Sequence, residues 1–337
     1  MTDTSSKTQE SSSGELTDLT LPLNAYVCRT VRISNHHHYH IKYTSYHDNL
    51  IIKLCDSPAF HHLFDIRSPR MKTKILRALK NYRKQTQLLQ EVRKEVQKDL
   101  DDLGDSSFDD DLRLWRFIRG FKYDRVKSVE VIRNSVSWRK KRNVASIVSK
   151  SKALQESSYP FASQARALYP MIELPPAAVD RKGALLWWVR YGKIDPEPLQ
   201  NFKLTLDELE EYLTYRYEVQ TERLQQLSKK TNRLERYYIV LDLEGLSMKH
   251  TGSWCRQTFK KVSSVLSSNY CESTYKITII NAPLIFRTIW SVIKPWLPER
   301  TVKKITIVGG DYLKRLNEDI DPMYIPEEYV FESVNTH

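Results

Sequence analysis

Two groups of residues have the types and spacing to do chemistry. Asp242 and Glu244 close the run YYIVLDLEG, and two carboxylates at a strand end suit paired general acid–base work. The commoner use of such an Asp is to hold the following turn through backbone amides. His36, His37, His38, His40, His47, His61 and His62 crowd the segment 22–70, seven of the chain's 9 histidines. Zinc sites pair close ligands at fixed spacings and complete the set with Cys or carboxylate. HHHYH supplies closeness without a second pair, and Cys28 and Cys55 stand alone. No metal site is expected, and the histidines read as a solvated loop.

Other catalytic signatures are missing. No GxGxxG follows a strand and no GxxxxGK[ST] occurs in a chain with only 9 glycines, so the usual phosphate cradles lack their residues. Gly245-Leu246-Ser247-Met248-Lys249 fails as a nucleophile elbow at its last position. The expectation is therefore no catalytic residue and no enzyme. A net charge of +12 favours an acidic partner, either nucleic acid or an anionic membrane surface. No helix-turn-helix or RNA-recognition aromatic motif is legible, which leaves the membrane surface. No apolar run approaches the roughly 18–20 residues of a membrane span. The polar start MTDTSSKTQESSSGELTD is unlike a secretory signal, and Cys28, Cys55, Cys255 and Cys271 form no CxxC pair. These features point to a reducing, cytoplasmic setting.

The elements that must position any site follow from periodicity. Residues 1–21 read as a disordered tail, 22–70 as a His-rich extension without a clear pattern, and 332–337 as a second tail. From Met71 to Leu103, Ile75, Leu79, Tyr82, Leu89, Val92, Val96 and Leu100 recur at helical steps among many Lys and Arg. That helix either lies on anionic lipid or packs on the domain with a solvated basic face. Gly104 stops it, Leu112–Ile118 begins a second helix, and Asp124 caps a third. Residues 71–150 thus form a helical N-terminal lobe. Beyond Pro175-Pro176, four strand-like runs (ALLWWVR, YYIVLDL, KITIIN and KKITIVG) alternate with the helical segments 206–227, 257–266 and 284–296. Alternation of this kind implies an α/β domain over 160–331 with a largely parallel sheet. Within it, Leu185, Trp187 and Val189 share one sheet face, and Tyr237, Ile239 and Leu241 share another strand's face.

Leu284–Trp296 is apolar on nearly every side, with Phe286, Ile289, Trp290, Ile293 and Trp296 added to Leu284, Ile285 and Val292. Only Arg287, Ser291 and Lys294 form a polar stripe. A helix apolar all round needs cover on two sides. The second cover is either another segment of the chain or a bound lipid tail or membrane.

Several stretches together resemble the CRAL-TRIO family of lipid carriers: LRLWRFIRGFKYDRVKSVEVIRNSVSWRKK, KGALLWWVRYGKID, YYIVLDLEGLSMKH, SSNYCESTYKITIINAPLIFRTIWSVIKPWL and ERTVKKITIVGGDYLKRLNEDIDPMYIPEEY. The resemblance implies a helical lobe followed by a lipid cavity floored by the sheet and closed by a gate helix, here Leu284–Trp296. It implies a bound phospholipid, phosphatidylinositol or a related phosphoinositide, in place of a cofactor, and peripheral association with membranes. Glu272 in NYCE matches the family's headgroup Glu, Thr301 and Lys304 in ERTVKKI match its Thr and Lys, and Lys122 matches a Lys of its helical lobe. Phe121 stands where the family has Arg. Trp187, Tyr237 and Ile239 replace the choline-lipid residues of the pocket, Tyr275 replaces a hinge Gly, and Val330-Phe331 replaces a terminal Gly pair. DLEGLSMKH most resembles the animal branch of the family, whose members often add a C-terminal GOLD domain that is not expected in a chain ending at His337. A sterol, tocopherol or retinoid-like ligand, or a regulatory scaffold with a vestigial cavity, are the other readings the residues allow.

Overall fold

The computed structural model describes residues 27–34, 37–43, 69–153, 170–175, 177–194, 205–231, 233–309 and 311–334. The expected tail 1–21, residues 335–337 of the second, and His36, His47, His61 and His62 lie outside the described residues, while 332–334 fall in a helix rather than a tail. Two compact units are distinguished, residues 1–87 with 232–234, and the remainder.

In the first unit, β1 (Val27–Ser34) and β2 (His37–Tyr43) pair as an antiparallel hairpin. His37, His38 and His40 therefore sit in a strand rather than in the solvated loop expected of them. β-Branched and aromatic residues in both runs account for the difference: Val27 pairs with Tyr43, Arg29 with Ile41 and Val31 with Tyr39.

The second unit opens with the C-terminal half of α1 (Pro69–Leu103). Leu89, Val92, Val96 and Leu100 are buried along one stripe, and Arg93 bridges Asp109 at 2.6 Å and Asp111 at 2.7 Å. This half of the helix packs on the domain. Gly104, at φ +65°, ends it, a conformation natural to Gly. Then come α2 (Asp111–Gly120), capped by the Asp110 side chain, α3 (Arg125–Arg142), capped by Asp124, and α4 (Val144–Ala153). A buried ionic network ties this lobe to α5 (Leu206–Thr231). Glu218 on α5 accepts from Arg113 at 2.6 Å and from Arg139 at 2.7 Å, and Arg139 also reaches Asp105 at 2.6 Å. All four side chains are buried.

The sheet has the order β3-β4-β5-β6-β7. Its strands are β3 (Met171–Ile172), β4 (Leu185–Arg190), β5 (Tyr237–Asp242), β6 (Thr274–Ile280) and β7 (Ile305–Ile307). Only β3 runs antiparallel. Parallel neighbours must be joined by crossovers, here α5, α6 (Ser253–Asn269), and α7 (Phe286–Ile293) with the short α8 (Glu299–Val302). Register aligns Trp187 with Ile239 and Ile239 with Ile277, so alternate residues of three strands line one face.

The two faces are finished differently. On the back, Leu186, Trp188, Tyr238, Val240 and Ile280 form a sealed core with Leu316 of α9 (Tyr312–Asp319), Ile320, Ile325 and Tyr329 of α10 (Glu327–Val334). Trp188 is fully buried with its ring 4.7 Å from that of Tyr329, a burial that contributes about 3 kcal/mol. On the front, Leu185, Trp187, Val189 and Tyr237 meet Leu209, Tyr212, Leu213, Tyr217 and Leu224 of α5 and Val265 of α6. Phe286 of α7 joins Leu243, Leu246 and Ile279 in a separate cluster.

Candidate functional site

A cavity of about 590 Å³ lies between the front face of the sheet and helices α5, α6 and α7. Volumes of this size suit small-molecule ligands. Trp187, Tyr237, Ile239, Leu241, Ile277 and Ile279 form its floor. They are alternate residues of β4, β5 and β6, which the two-residue period of a strand sends to one side. Its walls come from α5 (Leu213, Tyr217, Leu224), α6 (Trp254, Phe259, Val262, Leu266) and α7 (Phe286, Ile289, Trp290, Ile293). Trp187 packs edge-on against Tyr237 at 5.1 Å, and the Tyr237 hydroxyl is bonded to Gln220.

α7 is shorter than the expected 284–296. It runs from Phe286 to Ile293, followed by a single 3₁₀ turn at Lys294–Trp296, where Pro295 removes a helical donor. Phe286 is buried, and Ile289, Trp290 and Ile293 are half-buried against the cavity. Arg287, Ser291 and Lys294 face solvent as the stripe predicts. Yet Leu284 (83% exposed) adds outward apolar surface, and Val292, which lines the cavity, is itself 44% exposed. Trp296 is not among the lining residues; its ring rests 6.2 Å from Phe259.

A rim closes the strand ends. Gly192 sits so close to the turn after β5 that a Cβ there would lie 2.0 Å from the Glu244 carbonyl oxygen. His250 lines the cavity, accepts from the Ser247 amide at Nδ1 (3.0 Å) and bonds the Ile194 carbonyl through Nε2 at 2.8 Å. The carboxylates Asp242 and Glu244 have separate engagements. Asp242 is buried and accepts from the Glu244 amide (2.9 Å), Asn281 (3.0 Å) and the Tyr329 hydroxyl (2.8 Å). Glu244 pairs with Lys193 at 2.6 Å.

One end of the cavity is polar. Glu272, Thr301 and Lys304 all line it, from the loop before β6, from α8 and from the segment that joins α8 to β7 respectively. Lys304 Nζ donates to Glu272 Oε1 at 3.1 Å and to the Thr274 carbonyl at 2.7 Å. The same carboxylate is met by Arg119 and Arg236, each at 3.4 Å, while Arg116 donates to the Glu272 carbonyl at 2.8 Å. Glu272 holds φ +52°, a conformation rare for its residue type, which often marks a functional position. Burial pushes its carboxyl up, but Lys304 and Arg236 outweigh that and hold it below the ordinary range. Burial likewise depresses the Lys304 ammonium, and Glu272 restores part of the loss.

Lys122 stands apart from this group. It is exposed at φ +57° in the turn after α2 and is not among the lining residues. The lobe reaches the site through Arg119 and Arg116 instead. Spacing gave no sign of them, because an arginine in an amphipathic helix reads as solvated. Arg236, at the mouth of β5, was missed for the same reason. Phe121 stacks beneath Arg300, with the guanidinium 4.6 Å from its ring. Tyr275 is held by Asp180, which accepts from its hydroxyl at 3.0 Å. Among the described residues no group of His, Cys, Asp and Glu is arranged to hold a metal, and no helix is long and apolar enough to cross a membrane.

Residues 176–329 match the CRAL/TRIO domain over the same strands and helices that enclose the cavity. This part of the chain is a CRAL/TRIO domain. A CRAL-TRIO domain-containing protein of Caenorhabditis elegans is 26% identical over 224 residues, 64% of this chain and 29% of its own length. The phosphatidylinositol/phosphatidylcholine transfer protein SFH9 of Arabidopsis thaliana is 29% identical over 226 residues, 65% of this chain and 36% of its own. The chain thus spans about a third of the length of these curated relatives. The crystal structure of Sfh5 superposes with a TM-score of 0.52 at 16% identity, over 66% of this chain and 80% of that one. The two share the fold.

Proposed function

We propose that this CRAL-TRIO protein binds a single phospholipid with an inositol headgroup, phosphatidylinositol being the simplest, and exchanges it at membranes through movement of α7, without a catalytic step. One observation carries the reading: an apolar cavity ends at a cluster in which Glu272, Thr301 and Lys304 meet. Acyl chains belong in the aromatic and aliphatic part, where each buried CH₂ contributes about 0.8 kcal/mol. At the polar end Glu272 accepts from ring hydroxyls, and Thr301 and Lys304 donate to phosphate. α7 suits the part of a gate because its inner face lines the cavity while Leu284, just before it, offers apolar surface outward. The transfer named for the Arabidopsis relative SFH9 supports the same reading. The net charge of +12 favours approach to an anionic membrane from the cytoplasm.

The test is mass spectrometry of lipid that co-purifies from a eukaryotic host. Near one inositol phospholipid per chain is expected, and Glu272→Ala with Lys304→Ala should abolish it while circular dichroism stays unchanged. Undiminished loading in the double variant would sink the headgroup assignment. A second reading rests on the density of rings around the cavity, Trp187, Tyr217, Tyr237, Trp254, Phe259 and Trp290. These faces suit a sterol, tocopherol or retinoid-like ligand, and recovery of such a molecule would replace the phospholipid. Recovery of no lipid would favour a scaffold.

A further inference from the structure

The polar end of the cavity carries more positive charge than the diester of a simple inositol lipid calls for. Lys304 alone could answer that single negative charge, with Glu272 already contacted by Arg119 and Arg236. Two further arginines stand beside it on neutral acceptors. Arg300 lines the cavity and donates to the carbonyls of Gly120 and, at 3.1 Å, Ser267, with Cys271 Sγ 3.8 Å away. Arg116, 2% exposed, donates to the carbonyls of Glu272 and Glu235, both at 2.8 Å, and to Ser228 Oγ at 3.4 Å. Its Nε has no acceptor among the described residues. A buried guanidinium on neutral acceptors is costly unless an anion offsets it.

The electrostatic surroundings agree with this crowding. Burial, then repulsion from Arg113 and Arg236, brings Arg116 down to about 9. Burial depresses Lys304, with Arg236 and Arg300 adding to the effect. Arg300, Thr301 and Lys304 come from a single stretch of chain, so a group held by Thr301 and Lys304 lies beside Arg300. Guanidinium is the side chain best suited to phosphate, since it presents paired donors in a fixed fork.

Building on the inositol-lipid reading, we propose that this end accommodates a phosphomonoester, so that the preferred ligand is an inositol lipid phosphorylated on its ring, with Arg300 as the contact that selects it. A phosphomonoester carries nearly two negative charges at neutral pH, against one for the diester. The diester and the added phosphate together match Lys304, Arg300 and the charge of Arg116 behind them. A soluble inositol phosphate offers the same anion without the chains. The cavity of about 590 Å³, apolar beyond this end, assigns the site to the lipid.

The experiment loads the purified full chain from phosphatidylcholine vesicles containing equal amounts of phosphatidylinositol and phosphatidylinositol monophosphate, and counts each lipid bound. The monophosphate should be favoured by about tenfold or more, the scale of one charge-assisted hydrogen bond. Arg300→Gln should lower that ratio by about tenfold, and Arg300→Lys, which keeps the charge but not the fork, should lower it less. The ratio is read only on protein with the wild-type circular dichroism, and Arg300→Lys serves if the Gln variant fails to fold. Equal loading of both lipids, or a ratio indifferent to both substitutions, overturns the phosphomonoester while leaving inositol-lipid binding in place. Loading of neither lipid overturns both. A third arm adds soluble inositol phosphate: displacement of lipid only at large excess supports the lipid ligand, whereas equal affinity for the soluble anion overturns it.

Discussion

Replacing Glu218 by Gln should weaken the chain by an amount that depends on pH in a defined way. Glu218 sits between Arg113 and Arg139, with contacts of 2.6 and 2.7 Å, and all three side chains are at most 3% exposed. Burial pushes its carboxyl up, but Arg113 and Arg139 more than reverse that and bring it down to about 2, from an ordinary value of 4.5. A shift of roughly 2.5 units corresponds to about 3 kcal/mol. The folded value is the depressed one, so this stability is fully present above pH 4.5 and is lost as the pH falls towards 2. Gln keeps the shape but leaves two buried guanidiniums against a neutral partner, a loss of about 3–5 kcal/mol at pH 7. Near pH 2 the wild-type carboxyl is itself protonated, and the two proteins should converge. Urea denaturation of both, followed by circular dichroism at pH 7, 5, 4 and 3, measures the difference directly. Comparing variant with wild type cancels the acid sensitivity of the other carboxylates. A difference below about 1 kcal/mol at pH 7, or one that stays constant down to pH 3, would refute the reasoning. The network also holds α2 against α5, and α2 carries Arg116 and Arg119 to the polar end of the cavity. Lipid retention should therefore fall along with stability.

Ile239 lies mid-floor, and Ile239→Trp should reduce bound lipid several-fold while shifting the urea midpoint little; full occupancy with an unchanged melt would contradict its position. Gly192→Ala should cost about 2–4 kcal/mol, because a Cβ 2.0 Å from a backbone oxygen forces the two turns apart; a melting temperature within a degree or two of wild type would show that they yield freely.

Much of the domain was legible because strands and crossover helices announce themselves by period. LLWWVR, YYIVLD and TYKITII are β-branched or aromatic runs of strand length, and their alternate residues face as the two-residue period requires. Asp124 was legible as a cap because a short side chain ahead of a helix has one favourable use, and it does accept from the Lys127 amide. The ionic network was not legible. Arg113, Arg139 and Glu218 are 105 and 79 residues apart along the chain in their two pairings, and charged residues at helical spacing look like solvated faces. The site divides along the same line. Its apolar floor follows from strand alternation, while Glu272, Thr301 and Lys304 came from resemblance to a motif. The arginines around them depend on how the lobe docks, which no local pattern encodes. Lys122 shows the limit of motif matching: the residue type is in place, but a left-handed turn leaves it in solvent.

The unequal finish of the two sheet faces has a consequence for how this protein can change. Along β4 and β5, neighbouring residues answer to different demands: Trp188 and Tyr238 are locked into the sealed back, whereas Trp187 and Ile239 border open volume. A substitution at an odd position can alter the size and chemistry of the guest with little disturbance to the frame. The same substitution one residue along disrupts a filled core, at about 3–5 kcal/mol for loss of a large ring. New ligand preferences are thus reachable by single steps at every second position, each leaving a foldable chain. A library confined to 187, 239, 241, 277 and 279 should keep most members folded while spreading widely in what they hold, and one built on 186, 188, 238 and 240 should not.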